Sequence, residues 1–288
     1  MDYHSPASFA EASALAANAT GVTRFLAGGT DVLVQLRSEL VTPDTLIDIK
    51  KIDGVSDITR NADGSWTLGV AATGAEMSEH PELGRDWPGV VEAMDLIGST
   101  QVQGRATLTG NLCNGSPAAD SVPAMVAAGV TVTVTGPKGE REVAVEDIPT
   151  GPGKTSLAKG EVVSAVNIPV RGDNAGDAYL RFIPRTEMDI AVVGVGVSLR
   201  LDGDTVVEAR VSLGAVAPTV LLVEDCAKAI IGSTLDDAAL DALAAAASAA
   251  CNPIDDKRGT IAFRTEVAGV LAKRAAKIAY ARAKGEKA

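Results

Sequence analysis

The sequence predicts an α+β fold: two small α/β units, then an antiparallel sheet with helices packed on it. Three observations predict it. Two glycine-rich stretches, Ala27-Gly28-Gly29-Thr30-Asp31 and Thr107-Leu108-Thr109-Gly110-Asn111-Leu112-Cys113-Asn114-Gly115-Ser116-Pro117, are each bracketed by apolar β-type residues. Hydrophobic residues make up 46% of 288, enough to bury a sizeable interior, and Ala and Val carry it because aromatics are only 3%. Past the polar segment Gly172-Asp173-Asn174-Ala175-Gly176-Asp177 the pattern changes to long strands and then long helices. That segment reads as a linker. The expected units are residues 1–52, 53–172 and 173–288.

Ser8-Phe9-Ala10-Glu11 has the spacing of a capping box and opens a helix with Phe9, Ala12, Leu15 and Ala16 on one face. A strand over 23–27 runs into the first glycine stretch, and Asp31 is placed to cap a short helix over 32–36. This stretch thus lies between a strand and a helix N-terminus, where free N–H groups and the dipole favour an anion. A second strand covers 46–49. In the next unit, Asp63-Gly64 marks a hairpin turn before a strand over 66–70, and a helix over 90–97 ends at Gly98. The second glycine stretch reads as a loop. Strands over 130–135 and 142–145 form a hairpin around Gly136-Pro137-Lys138-Gly139. A strand covers 161–170, with Pro169 marking an edge or a strand end. The last unit has strands over 190–201 and 205–216, joined by Asp202-Gly203-Asp204, then helices over 219–231, 236–251 and 260–284.

The net charge of -11 argues against nucleic acid and against an anionic membrane surface. No run reaches the roughly 18 apolar residues a membrane span needs. No basic n-region precedes an apolar stretch at the N-terminus, so the cytoplasm is expected. Cys113, Cys226 and Cys251 are scattered, and His4 and His80 are the only histidines. This set suits neither an iron–sulfur cluster nor a histidine metal site on this chain.

Glycine lets backbone N–H groups approach an anion closely, and small polar neighbours add hydroxyl and amide donors. Two such stretches converging would hold a diphosphate without lysine or arginine, which points to a nucleotide cofactor. The G-x-G-x-x-G fingerprint of a Rossmann domain is absent. Gly151-Pro152-Gly153-Lys154-Thr155 imitates a P-loop, but residue 148 is Ile148 where that motif requires glycine. It reads as a surface loop apart from the site. Asp120 would repel a phosphate; it either accepts from sugar-type hydroxyls or caps the helix that follows.

The two stretches together resemble the FAD-binding subunit of the molybdenum hydroxylases, the xanthine dehydrogenase and carbon monoxide dehydrogenase medium-subunit family. The likeness continues in order through Arg185-Thr186-Glu187-Met188-Asp189-Ile190-Ala191, Ser212-Leu213-Gly214-Ala215-Val216-Ala217-Pro218-Thr219 and Pro253-Ile254-Asp255-Asp256-Lys257-Arg258-Gly259. The resemblance implies a two-subdomain FAD-binding domain of the vanillyl alcohol oxidase type, then a sheet and helical bundle. It implies that Ala27, Gly28, Gly29, Thr30 and Asp31 wrap the diphosphate. Thr107, Thr109, Gly110, Asn111, Asn114 and Ser116 would hold the diphosphate–ribityl region, and Asp120 a cofactor hydroxyl or amino group. Arg181 falls where relatives place a basic residue near the flavin ring, with Tyr179 nearby. Two departures stand out: Thr109-Gly110 where relatives usually have Gly-Gly, and Val102-Gln103-Gly104 where they often read I-R-N.

By the same resemblance the chain is an electron-transfer flavoprotein subunit with non-covalent FAD. A small iron–sulfur subunit would feed it from a [2Fe–2S] centre, and a large molybdopterin subunit would meet the substrate, in a dimer of heterotrimers. The acceptor would be NAD, oxygen or a quinone. Two alternatives stay open: a stand-alone FAD-dependent oxidase or reductase of the same fold, and a non-catalytic scaffold subunit without FAD, which Thr109 favours.

Overall fold

The structure, a computed structural model, describes residues 1–286. It opens on a three-stranded parallel sheet of β1 (Asp2–His4), β2 (Thr23–Leu26) and β3 (Thr45–Asp48), with β3 central. Helix α1 (Phe9–Asn18) buries Ala12, Ser13 and Ala16. Ser8 caps it by accepting from the Glu11 N–H, while the Glu11 carboxylate reaches the Ala7 N–H and so completes only half of the reciprocal box. Helix α2 (Val32–Arg37) follows the first glycine stretch. Strand β1 was not legible in the sequence, since three residues at an edge give no alternation to count.

The second sheet has five antiparallel strands, ordered β4 (Ile58–Arg60), β5 (Trp66–Gly69), β10 (Val162–Ile168), β6 (Thr131–Gly136), β7 (Gly139–Ala144). Because β10 is central, Pro169 marks a strand end and not an edge. Short helices α3 (Gly74–Glu79), α4 (Leu83–Asp86), α5 (Pro88–Asp95) and α6 (Thr100–Gln103) lie between β5 and the second glycine stretch. That stretch is not a loop: Leu108–Cys113 forms helix α7, capped by Thr107, whose hydroxyl accepts from the Gly110 N–H at 2.9 Å. Helix α8 (Ser121–Ala128) is buried along its whole length. The imitation P-loop is a small hairpin, β8 (Pro149–Gly151) with β9 (Lys154–Thr155), and the Gly153 N–H donates to the Gly115 carbonyl at 2.9 Å. It is therefore tied to the second glycine stretch, contrary to its reading as a loop standing apart.

The third sheet is antiparallel, ordered β11 (Ala175–Phe182), β12 (Val193–Asp202), β13 (Thr205–Gly214), β14 (Leu221–Leu222). Ala175, Gly176 and Asp177 begin β11, so the polar segment read as a linker is half strand. Helices α9 (Glu224–Ile230), α10 (Asp237–Ala250) and α11 (Ile261–Ala283) share the core of this sheet. Helix α8 packs against β12 and β13. Gly196 permits that approach, because a Cβ there would lie 2.4 Å from the Pro123 carbonyl oxygen. One hydrophobic core runs from Ala12 through Ile168 beneath the first two sheets; a second fills the C-terminal unit.

Candidate functional site

A cavity of about 660 Å³ opens where β2, the N-terminus of α2 and the N-terminus of α7 meet. That volume suits a small-molecule or cofactor site. Ala27, Gly28, Gly29, Thr30 and Asp31 line it from one side, and Thr107, Thr109, Gly110, Asn111 and Asn114 from the other. The two glycine stretches therefore converge. Gly28 is required by protein and not only by a ligand: a Cβ there would stand 1.8 Å from the Arg105 carbonyl oxygen. Gly29 has φ of +84°, a left-handed conformation that favours glycine. Asp31 stands at the N-cap of α2 but makes no side-chain cap bond, and burial raises its carboxyl above the usual range.

The Gly110 amide, expected to be free for an anion, is taken by Thr107 in the capping turn. Thr109 behaves differently. Its hydroxyl is buried without a hydrogen-bond partner, as is that of Thr23, another residue of the cavity wall, and neither oxygen has surface open to the cavity. Buried hydroxyls without partners are costly, and these two are unsatisfied polar groups within the wall.

Ser116, Asp120 and Arg181 do not line this cavity. The Ser116 hydroxyl accepts from the Ala118 N–H at 3.2 Å. The Asp120 carboxylate accepts from Tyr179 Oη at 2.9 Å and pairs with Arg181 at 2.7 Å; Asp120 and Tyr179 are buried and the Arg181 side chain is 5% exposed. Asp120 thus makes no side-chain cap on α8, although it stands at the N-cap. Burial pushes its carboxyl up to about 6, even though Arg181 and Tyr179 pull the other way.

Several lining residues had no sequence signal. Arg24 and Lys159 also line the cavity, so two basic residues stand at its wall beside the glycine stretches. Gln35 of α2 also lines it and donates to Asn114 Oδ1 at 3.0 Å. Lys159 precedes β10, far in sequence from either glycine stretch, and only the fold brings it there. The Cys113 thiol, on the same wall, is raised by burial to about 12 and so is protonated at neutral pH.

Residues 1–171 match the FAD binding domain in molybdopterin dehydrogenase, and residues 178–279 match the CO dehydrogenase flavoprotein C-terminal domain. The chain belongs to this family. It is 34% identical to the carbon monoxide dehydrogenase medium chain of Afipia carboxidovorans, over 99% of this chain and 98% of that one. It is 30% identical to a putative xanthine dehydrogenase FAD-binding subunit of Escherichia coli, over 99% of this chain and 97% of the relative. A Cu,Mo-CO dehydrogenase crystal structure superposes with a TM-score of 0.92 at 33% identity, covering 98% of both chains. The protein is an FAD-binding medium subunit of the molybdenum hydroxylase family, an oxidoreductase component with the fold those relatives show.

The residues present fit FAD. The cavity has the capacity, the glycine stretches bring backbone close to it, and the polar residues Asn111 and Asn114 line it. When bound, FAD supplies the electron-transfer chemistry; the protein binds and orients it. Among the described residues no helix is long and apolar enough to cross a membrane.

Proposed function

We propose that this chain relays electrons, its FAD taking them from a [2Fe–2S] centre on a small partner subunit and passing them to NAD, oxygen or a quinone. A large molybdopterin subunit would carry the substrate chemistry, in a dimer of heterotrimers in the cytoplasm. The observation that carries this reading is the convergence of Ala27–Asp31 and Thr107–Asn114 on one cavity. Within it, Thr30 and the backbone of Ala27 to Gly29 would hold the diphosphate. Thr109, Asn111 and Asn114 would continue along the cofactor, with Thr107 acting through the turn it caps. Ser116, Asp120 and Arg181 would support that wall from behind, since their polar groups bond protein. Non-covalent attachment is supported by Cys113, whose thiol stays protonated and is a poor nucleophile.

The test uses the full chain purified with the subunits that accompany it. Candidate substrates are purines, carbon monoxide, aldehydes and N-heterocycles. With the substrate that turns over, removing the flavin should stop reduction of the acceptor while the substrate still reduces the rest of the complex. Adding FAD should restore it. Undiminished acceptor reduction without flavin would sink the relay.

A further inference from the structure

Helix α2 buries no residue, although Val32, Leu33, Val34 and Leu36 are apolar. Leu33 is 48% exposed, Val34 62%, and Leu40 just beyond the helix 76%. Among the described residues, none of these side chains joins a hydrophobic core, and no other helix or strand packs broadly on α2. The backbone bonds of residues 29–42 stay within the segment: the Leu33 N–H donates to the Gly29 carbonyl, that of Gln35 to Asp31, and that of Leu40 to Gln35. Among the described residues, one hydrogen bond leaves it, from Gln35 Nε2 to Asn114 Oδ1 at 3.0 Å. The segment is anchored at its two ends, where Gly28 packs on the Arg105 backbone and Pro43 is buried. Gly29 and Glu39 flank the helix with left-handed φ of +84° and +57°, and for a glutamate that conformation is strained. Its inner side is the cavity, which Val32, Gln35, Leu40 and Val41 line.

We propose that residues 29–42 form a flap over the cavity, one that opens to admit FAD and is held shut by it. The inference rests on FAD occupying this cavity. A single short helix is not stable in water without tertiary packing, and the core supplies none here. What α2 has to pack on is whatever fills the cavity. A segment with few buried contacts opens locally at little cost, and one hydrogen bond to α7 is a weak latch. The anchored ends let the segment swing without disturbing the sheet of β1, β2 and β3, which lies outside it.

The test compares the protein, purified with the subunits that accompany it, after flavin depletion and after FAD rebinding. Leu36, Arg37, Ser38 and Glu39 do not line the cavity, so a cofactor inside it does not shield them by contact. In the flavin-free protein their amides should exchange hydrogen quickly, and trypsin should cut after Arg37. FAD at about a hundred times its Kd should slow both by at least about tenfold and at most about a hundredfold, because it binds only the closed state. Val34→Pro breaks α2 at a residue that does not line the cavity. FAD should leave this variant at least about tenfold faster, while the thermal midpoint of its flavin-free form stays that of the parent. Exchange at 36–39 that is equal with and without FAD would overturn the flap. So would an uncut Arg37 in the flavin-free protein, parent-like FAD release from Val34→Pro, or a lowered midpoint in that variant. If FAD slows exchange at 107–113 and not at 36–39, the flap fails and the reading of the cavity stands. If FAD slows neither, or does not rebind, the reading of the cavity fails and the flap with it.

Discussion

Residue-scale chemistry in this site is decided by a few atoms. The Cβ of Gly28→Ala would meet the Arg105 carbonyl oxygen at 1.8 Å, so the backbone of 105–106 must move. Overpacking of this kind costs about 1–3 kcal/mol, and flavin content and thermal midpoint should fall together. A variant with parent-like values in both would show that the contact gives way freely. Thr109→Val separates the two quantities. Removing an unpartnered buried hydroxyl should leave the flavin-free chain as stable or more so, while FAD affinity stays within about threefold, because that oxygen has no surface open to the cavity. A loss of FAD affinity of about tenfold would mean that the hydroxyl meets the cofactor after all. Asp120 offers a pH signature. Its folded-state value of about 6 lies above the 3.8 of a free carboxyl, so the folded chain holds more protons between those pH values. Stability contributed by this group is therefore present at low pH and lost as pH rises from about 4 to 6. Asp120→Asn should flatten that part of the thermal-midpoint profile, and an unchanged slope would assign it to other groups. Asp177, pushed by burial to about 6 as well, has the same sign and remains in that variant.

Individual elements show how far the sequence could be read. The long strands β12 and β13 and helices α10 and α11 were legible, because alternation over ten residues and apolar periodicity over fourteen or more leave little ambiguity. The glycine stretches were legible by composition, and Asn111, Asn114 and Thr109, which line the same cavity, came with them. Helix α7 was not: Gly110 and Asn111 argue for a loop, yet the Thr107 cap and the buried Leu108 and Leu112 hold a helix there. Strand β11 was hidden because its first residues are Ala, Gly and Asp, and their strand geometry comes from pairing with β12. Arg24, Lys159 and Gln35 could not be found, since nothing local marks them and only folding places them together. The β8–β9 hairpin carries its own prediction. Gly153 has φ of +68° with open space around a would-be Cβ, so Gly153→Ala should cost about 1–2 kcal/mol from backbone strain alone. No change in thermal midpoint would show that the turn relaxes.

At the level of the whole molecule, the FAD-binding unit and the C-terminal unit are joined by buried polar contacts. The Ala215 N–H donates to the Pro117 carbonyl at 2.8 Å, Arg210 reaches the Val126 carbonyl at 2.9 Å, and the Asp177 carboxylate accepts the Gly89 N–H at 2.8 Å. Arg282 of the last helix pairs with Glu92 of α5. These contacts brace α8, which packs on α7, against the C-terminal sheet. We propose that this chain holds one FAD, without a covalent bond, in the cavity between the two glycine stretches. Acid precipitation of the protein, purified with the subunits that accompany it, tests this most directly. One FAD per chain is expected in the supernatant, with a colourless pellet. Flavin retained on the denatured polypeptide, or no flavin in either fraction, would contradict it.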